Sequence, residues 1–189
     1  ASTGRLSEQA DGEGRITRLG YDRRDRRTSI TYPDGRVHRF SYGLRRQIER
    51  EQSPGGTVRD YSYAADASLA RIDVTSGPGV TPTLPVLLTH DGLRRLVRAE
   101  QGGHVLVRGH DDSLRLVSED LDGRSSGWSY DDVAGTARFT YPDGRVDRVD
   151  LDLLRRPIAL TLESAGGAGL TGGVAPNTEL ARWSYAGPG

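Results

Sequence analysis

The chain has 189 residues, of which 34% are hydrophobic, 28% are charged, 25 are glycine and 9 are proline. Its 26 basic and 26 acidic residues cancel, and it contains no cysteine, which excludes disulfides, thiolate metal ligands and cysteine nucleophiles. The apolar content is too low for a large globular core, yet zero net charge with eight tyrosines and two tryptophans argues against intrinsic disorder. Apolar runs are too short to predict a membrane span.

In chain order, the first strong signal is a seven-residue segment that occurs twice. Residues 31–37 read Thr-Tyr-Pro-Asp-Gly-Arg-Val, and residues 140–146 repeat them letter for letter. Proline presets φ for the first corner of a type I turn, aspartate suits the second corner, and glycine supplies the left-handed residue that closes a hairpin. The predicted repeat-turn residues are therefore Pro33, Asp34, Gly35, Pro142, Asp143 and Gly144.

Residues on both sides of these turns alternate between apolar and polar types, which is typical of half-buried strands. Ile30 and Tyr32 precede the first turn, and Phe40 and Tyr42 follow it, so the aromatic rings are expected on one face of a ribbon. The predicted repeat core consists of Tyr32, Phe40, Trp128, Phe139 and Tyr141.

Looser versions of the pattern fill the rest of the chain, at spacings on the order of ten to twenty-five residues that are typical of strand and turn units. Tyr61-Ser-Tyr63 and Trp183-Ser-Tyr185 are expected to start further strands. Segments 93–100 and 151–162 are the best helix candidates, but they alternate equally well, and Pro157 argues against an uninterrupted helix in the second.

Two segments interrupt the repeat, at about 76–85 and 165–176, and both are rich in glycine and proline. Neither has the spacing of a phosphate-binding loop, so we interpret them as insertions between strands, with a contact surface at a loop tip as the alternative. The single repeat array is predicted to span residues 1–189. Because the chain starts without methionine and ends where a repeat begins, we expect it to be part of a longer chain or assembly.

Candidate chemistry is sparse. His104 and His110 with Asp111 and Asp112 could supply metal ligands, but a polar strand face explains them better. Segment 119–123 resembles a solvated turn more than a calcium loop. No Gly-x-Ser-x-Gly motif, which holds the nucleophile of many serine hydrolases, occurs. A pair of catalytic carboxylates as in glycosidases is left as an alternative, because it depends on their separation in space. We predict no enzyme activity and no catalytic, cofactor-binding or metal-binding residues.

Charge is unevenly placed along the chain. Residues 15–50 contain eleven arginines against four acidic residues, whereas residues 111–152 contain eleven acidic residues against five arginines. These stretches could attract each other within one molecule or between molecules stacked head to tail. Arginines interleaved with aromatic residues could instead contact a surface glycan or another polyanion, although zero net charge argues against nucleic acid. The candidate contact residues are Arg23, Arg24, Arg26, Arg27, Arg45 and Arg46.

The pattern of Gly-Arg, a variable stretch, Tyr-Asp, and then Gly-Arg or Arg-Arg resembles the YD repeat of rearrangement-hotspot (RHS) proteins, toxin-complex shells and teneurins. It is carried by Gly14-Arg15 with Tyr21-Asp22, by residues 91–95, by Gly123-Arg124 with Tyr130-Asp131, and by the two Pro-Asp-Gly-Arg turns. The resemblance implies a β-ribbon that spirals into a hollow shell and, in bacterial relatives, encloses a toxic carboxy-terminal domain. No Asp-Pro occurs here, so the self-cleavage of such shells is assigned to no residue.

The predicted fold class is all-β, with tandem β-hairpin repeats forming a twisted antiparallel ribbon or a partial YD shell. The predicted function is a non-enzymatic structural or encapsulating scaffold without cofactors, in a secreted or extracellular bacterial protein. Expected partners are its own or neighbouring YD repeats, through head-to-tail association, and an enclosed toxin domain. The alternative is an extracellular binding or self-assembling module, in a filament or on a surface, that contacts glycans or other polyanions.

Overall fold

The computed structural model describes residues 4–165 and 175–185, and all regular secondary structure in these ranges is β-strand. The chain divides into two units, residues 1–103 and 104–189. In each unit, every strand pairs antiparallel with the strand that follows it. The prediction of an all-β chain of tandem antiparallel hairpins is confirmed.

The first unit contains nine strands within its described residues. They are β1 (Glu8–Ala10), β2 (Ile16–Tyr21), β3 (Arg27–Thr31), β4 (Val37–Tyr42), β5 (Ile48–Gln52), β6 (Val58–Tyr63), β7 (Leu69–Thr75), β8 (Val86–His90) and β9 (Leu96–Gln101). The predicted insertion at 76–85 is the irregular connection between β7 and β8. Gly77 in this loop is buried and donates its N–H to Thr57 Oγ1 at 3.2 Å, so the loop packs on the turn at 53–57.

The second unit contains seven strands within its described residues. They are β10 (His104–His110), β11 (Leu116–Leu121), β12 (Arg124–Asp131), β13 (Thr136–Thr140), β14 (Arg145–Leu151), β15 (Pro157–Ala165) and β16 (Thr178–Arg182). The other predicted insertion, at 165–176, lies mostly outside the described residues.

One five-residue turn recurs throughout both units. Its first residue donates its N–H to the carbonyl of the fifth, and its fourth donates to the carbonyl of the first; in the turn at 32–36 both bonds are 2.9 Å long. The fourth residue always has a positive φ, as in a type I turn closed by a left-handed residue. The turns of this kind are 11–15, 22–26, 32–36, 43–47, 53–57, 64–68, 91–95, 111–115, 141–145 and 152–156.

These turns fall on two edges of each sheet, because successive antiparallel hairpins point in opposite directions. The turns that follow Tyr21-Asp22 and Tyr130-Asp131 lie at the same ends of the strands as several other turns of their units. We call this row of turns in each unit the Tyr-Asp edge. In the first unit it carries the turns at 22–26, 43–47, 64–68 and 91–95, and in the second the turns at 111–115, 131–135 and 152–156. The turns at 32–36 and 141–145, with the repeated Pro-Asp-Gly-Arg sequence, lie on the opposite edge of their units.

The strand registers give the first unit one aromatic and one polar face. Ile30 pairs with His38, and Tyr61 pairs with Ile72, on the aromatic face. The polar face carries ion pairs, which are Glu8–Arg18 (2.9 Å), Arg50–Asp60 (3.5 Å), Arg71–Asp73 (2.6 Å) and Arg98–Glu100 (2.5 Å). Such amphipathic strands follow from the alternation in the sequence.

Burial in both sheets is shallow. Among the described residues, the hydrophobic side chains that are nearly fully buried are Ala159 and Leu162 of β15, each 4% exposed. Most apolar strand residues are half-buried, because a single sheet layer covers each side chain only with its neighbours on the same face. Stability is therefore distributed over many small cross-strand contacts.

Some sequence expectations are wrong in detail. Tyr61-Ser-Tyr63 ends β6 instead of starting a strand, and Trp183-Ser-Tyr185 follows β16. Tyr63 directly precedes the turn at 64–68, so its strand lies before it. The sequence leaves segments 93–100 and 151–162 open between helix and strand, and neither is a helix. The first forms the end of a turn and most of β9, and the second forms the turn at 152–156 and the first part of β15. The prediction of one array over residues 1–189 stays a prediction.

Candidate functional site

An aspartate organises each typical turn on the Tyr-Asp edge. The Asp22 carboxylate accepts hydrogen bonds from the backbone N–H groups of Arg24 (2.8 Å) and Arg26 (3.0 Å) and from Arg26 Nε (2.7 Å). The backbone N–H of Arg26 is the main reason why the pKa of Asp22 lies below its usual value. In the turns at 91–95, 111–115 and 152–156, an aspartate at the first position likewise bonds the backbone N–H and the Nε of an arginine at the fifth position.

A tyrosine of the next repeat covers the arginine held by that aspartate. The Arg26 guanidinium lies 4.7 Å from the ring centroid of Tyr42, and the Tyr42 hydroxyl donates to the carbonyl of Arg27 at 2.8 Å. The guanidinium thus combines an ion pair with a cation–π contact. Equivalent pairs are Arg5–Tyr21 (5.2 Å), Arg115–Tyr130 (4.3 Å) and Arg156–Tyr185 (4.2 Å), whose hydroxyls donate to the carbonyls of Leu6, Leu116 and Pro157.

The Tyr-Asp pair at 21–22 therefore has two roles in the fold. Tyr21 covers the guanidinium of Arg5, and Asp22 holds Arg26 of its own turn. In the pair at 130–131, Tyr130 covers Arg115, whereas Asp131 accepts, within its turn, only backbone N–H groups. Further contacts connect consecutive turns: Arg45 donates to the Ala65 carbonyl at 2.9 Å, and Asp132 binds Arg115 (3.0 Å) and Arg155 (2.7 Å). Hydrogen bonds from Arg155 and then Arg115 lower the pKa of Asp132. Each hairpin is thereby attached to the next along this edge.

The six arginines predicted to contact a polyanion differ in what they bind. Arg26 is held by Asp22, and the Arg27 guanidinium lies 5.4 Å from the Phe40 ring centroid. Arg23, Arg24 and Arg46 are exposed, and their side chains form no hydrogen bond or ion pair with any residue in the described ranges. These three side chains and Arg45 belong to the turns at 22–26 and 43–47, which are consecutive on the Tyr-Asp edge.

The predicted repeat-turn residues lie in two closely similar turns. Gly35 and Gly144 both have φ +83°, in the position that requires a left-handed residue. The Asp34 carboxylate accepts the backbone N–H of Arg36 at 3.0 Å, and Asp143 accepts that of Arg145 at 2.9 Å. Pro33 and Pro142 occupy the second position of their turns.

The predicted core residues are half-buried and are not all brought together. In the second unit, Phe139 lies between Trp128 and Tyr141, with ring centroids 4.8 and 4.3 Å apart. In the first unit, Phe40 stacks on His38 at 4.4 Å, whereas Tyr32 is the first residue of the turn at 32–36. The aromatic face is therefore a surface of local clusters.

Sequence reasoning missed a polar cluster on the aromatic face of the first unit. The Glu51 carboxylate lies 2.7 Å from His38 Nε2 and accepts the Tyr61 hydroxyl at 2.7 Å. Burial and the bond to Glu51 raise the pKa of Tyr61 to about 12. Burial also acts to raise the pKa of Glu51, but the hydrogen bonds from Tyr61 and His38 outweigh it, and the net shift is downward. Only the strand register brings these three residues together, so spacing along the chain gave no signal.

The structure does not assemble the weighed metal ligands. His104 Nδ1 lies 2.6 Å from Asp122, while Asp111 is bonded to Arg115. Residues 4–165 and 175–185 contain no group of three or more histidine or acidic side chains arranged to hold a metal ion. The arrangements in these ranges hold hairpins together through ion pairs, cation–π contacts and hydrogen bonds.

Comparison with known proteins agrees with this geometry. A family model, the RHS repeat, matches residues 2–37. Curated proteins give no match. Among solved structures, TcdB2-TccC3 without its hypervariable C-terminal region is similar over 83% of this chain, with a TM-score of 0.67 and 14% identity. The Photorhabdus luminescens Tc holotoxin pore is similar over 85% of this chain (TM-score 0.60, 12% identity).

The chain spans only 10% and 12% of the length of those two matched chains. At such low identity, the likeness shows a shared fold, and the repeat match supplies the link to a family. Together with the Tyr-Asp turns, these findings confirm the resemblance inferred from the sequence: the chain is similar to RHS, or YD-repeat, proteins, with the repeat model matching residues 2–37 and the fold shared with toxin-complex proteins.

Proposed function

We propose that this chain forms part of the wall of an RHS shell, a non-enzymatic scaffold that encloses a toxic polypeptide domain. The main support is the contact that repeats along the Tyr-Asp edge, where the Tyr42 hydroxyl and ring hold the turn of the preceding hairpin, as Tyr130 and Tyr185 do in the second unit. The fold shared with TcdB2-TccC3 supports the same role.

The way in which the sheet is stabilised is compatible with a shell wall of many repeats. Because each hairpin gains its contacts from its neighbours, the array can be extended by adding repeats without enlarging a central core. A closed surface also removes the exposed strand edges that otherwise promote aggregation. The partners proposed here are neighbouring RHS repeats, including those of a second molecule stacked head to tail, and an enclosed polypeptide.

We place this function in a secreted or extracellular bacterial protein, as the resemblance to toxin complexes implies. The described part of the chain contains no helix that is long and apolar enough to cross a membrane.

Limited proteolysis of the natural full-length protein that contains this chain tests enclosure. Trypsin followed by mass spectrometry should leave a segment outside the repeats uncut, whereas the same segment made without the repeats should be cut rapidly. Tyr42→Ala combined with Tyr130→Ala should speed the cutting, because both side chains attach consecutive hairpins. Leu44→Ala with Val133→Ala is the control, since these side chains are 92% and 101% exposed. Equal cutting with and without the repeats would contradict enclosure.

A second candidate function is binding of an anionic glycan or another polyanion at the Tyr-Asp edge of the first unit. It is favoured by Arg23, Arg24 and Arg46, which are exposed and lie on consecutive turns, and whose side chains have no polar partners in the described ranges. Guanidinium groups with open donors suit sulfate and carboxylate groups.

Retention on heparin tests this candidate. Changing Arg23, Arg24 and Arg46 together to glutamine should lower the salt concentration needed for elution. The control changes Arg18, Arg50 and Arg71 to glutamine, which removes the same charge from arginines already paired on the polar face. If both variants elute equally early, retention depends on total charge alone and the candidate site is wrong.

A further inference from the structure

One repeat of the first unit has lost the aspartate and the arginine but has kept the tyrosine. In the turn at 43–47, Gly43 and Gln47 stand where the turn at 22–26 has Asp22 and Arg26. The tyrosine of the next repeat is Tyr63, and its hydroxyl still donates to the carbonyl of Ile48 at 2.7 Å. The ring therefore keeps the position in which other repeats cover a guanidinium group.

A cavity of about 570 Å³ lies at this position, and Gln47, Glu49 and Tyr63 are among its lining residues. The shorter glutamine side chain explains it, because it leaves the space that a guanidinium occupies beside Tyr42. The turn at 64–68 shows the same relation between a short side chain and a cavity. Ser68 stands at the arginine position, and a second cavity, of about 350 Å³, is lined by Ser68 and by His90 of the next repeat.

The groups that line the larger cavity suit a cation. The Oε1 atom of Gln47 is buried and has no hydrogen-bond partner in residues 4–165 or 175–185, so an unpaired acceptor belongs to a side chain that lines the cavity. A Cβ atom on Gly43 would collide with the Glu49 carboxylate, which shows that Glu49 occupies the space of the missing aspartate side chain. Glu49 forms no ion pair or hydrogen bond within those ranges.

The negative charge of Glu49 acts on the tyrosine of the site. Burial, and then the charge of Glu49, raise the pKa of Tyr63 above its usual value. The other charged side chain of the lining, Arg45, donates to the carbonyl of Ala65, another lining residue, at 2.9 Å and forms no ion pair with Glu49. The carboxylate is therefore left to pair with an incoming group.

We propose that this cavity binds a guanidinium group, supplied by an arginine side chain of another polypeptide segment. The Tyr63 ring provides the stacking surface, Glu49 the counter-charge and Gln47 Oε1 a further acceptor, as the tyrosine and aspartate do for the internal arginine of other repeats. The proposal depends on the geometry of the repeat and does not require that the chain encloses a toxin.

Titration of the 189-residue chain with Nα-acetyl-arginine amide tests the proposal, followed by NMR of the Gln47 side-chain amide and the Tyr63 ring. Both sets of resonances should shift in a saturable manner. The citrulline analogue, which is neutral and nearly isosteric, should cause a much smaller shift, because it lacks the charge that pairs with Glu49. Equal shifts with both probes, or no saturable shift with arginine, would overturn the proposal.

Variants locate the site. Glu49→Gln should weaken binding of the arginine probe about tenfold, through the loss of a charge-assisted bond. Gln47→Arg should abolish binding, because the internal guanidinium then fills the cavity. Unchanged affinity in Glu49→Gln would overturn the proposal even if Gln47→Arg failed to fold.

The matched repeat provides the reciprocal test. Arg26→Gln leaves Asp22 and Tyr42 in place and should create a second binding site, seen as a saturable shift of the Tyr42 ring when the arginine probe is added. If the variant is folded and Tyr42 does not respond, a tyrosine and a carboxylate in this turn are insufficient to bind a guanidinium, and the proposal for Tyr63 is wrong.

Discussion

Leu114 holds a backbone conformation that disfavours leucine. It is the fourth residue of the turn at 111–115 and has φ +68°, and its side chain is 59% exposed. Glycine fills the same position in the turns at 32–36 and 141–145. Replacing Leu114 by glycine should therefore stabilise the second unit, although glycine usually destabilises a folded chain.

The expected size follows from two opposing contributions to the free energy of unfolding. Relief of the left-handed conformation contributes roughly 1–2 kcal/mol. The greater backbone freedom of glycine in the unfolded chain costs about 0.5–1 kcal/mol. Because Leu114 is largely exposed, little apolar burial is lost, and the two ranges leave a net gain of about 0–1.5 kcal/mol, centred on about 0.7 kcal/mol.

Urea unfolding followed by Trp128 fluorescence measures this difference, since Trp128 packs on Phe139 in the second unit. The control is Leu153→Gly in the turn at 152–156. Leu153 is 102% exposed, and its backbone lies outside the left-handed region, so glycine there should cost about 0.5–1 kcal/mol. If Leu114→Gly lowers the urea midpoint as much as Leu153→Gly does, strain at the fourth turn position is refuted as a determinant of stability.

Three further predictions follow from the same structure. Gly35→Val and Gly144→Val should each cost about 2–3 kcal/mol, because a β-branched residue is strained at φ +83°; an unchanged urea midpoint would contradict this. Phe139→Leu should cost about 1–3 kcal/mol by removing two aromatic contacts, whereas Val133→Ala, at a fully exposed side chain, should leave the midpoint unchanged; equal midpoints would argue against the cluster as a source of stability. The pKa values of Asp22, Asp91 and Asp152 are lowered, chiefly by the backbone N–H of the arginine four residues later, so their stabilisation is present above the ordinary aspartate pKa and is lost as the pH falls toward their folded pKa. The urea midpoint should therefore fall between about pH 5 and pH 3, and less so after all three are changed to asparagine; a flat profile would contradict the sign of these shifts.

Local turn chemistry could be predicted from the sequence. Pro33, Asp34 and Gly35 specify a hairpin through their own φ preferences and through bonds that span at most five residues, and the alternation around them identifies a strand. The repetition of that segment at 140–146, together with the Tyr-Asp signatures, was sufficient to infer the resemblance to RHS repeats. The helix and strand alternatives for segments 93–100 and 151–162 were left open, because short apolar runs fit both periods.

The partner of each tyrosine could not be read from its neighbours in the chain. Tyr42 lies over Arg26, sixteen residues earlier, and this contact depends on the register of three strands. Register irregularities next to Tyr21, Tyr42 and Tyr63 set where each ring lies at the edge of the sheet. A bulge shifts every later side chain, and its position is settled by cross-strand packing.

The sequence by itself determined the all-β repeat, the position of its sharpest turns and the resemblance to RHS repeats, because these depend on short-range backbone preferences that each segment carries alone. Only the tertiary structure decided which arginines are held and which are exposed, that His38, Glu51 and Tyr61 meet, and that a cavity lies beside Tyr63. Those features depend on which residues face one another across strands, and that choice belongs to the whole sheet.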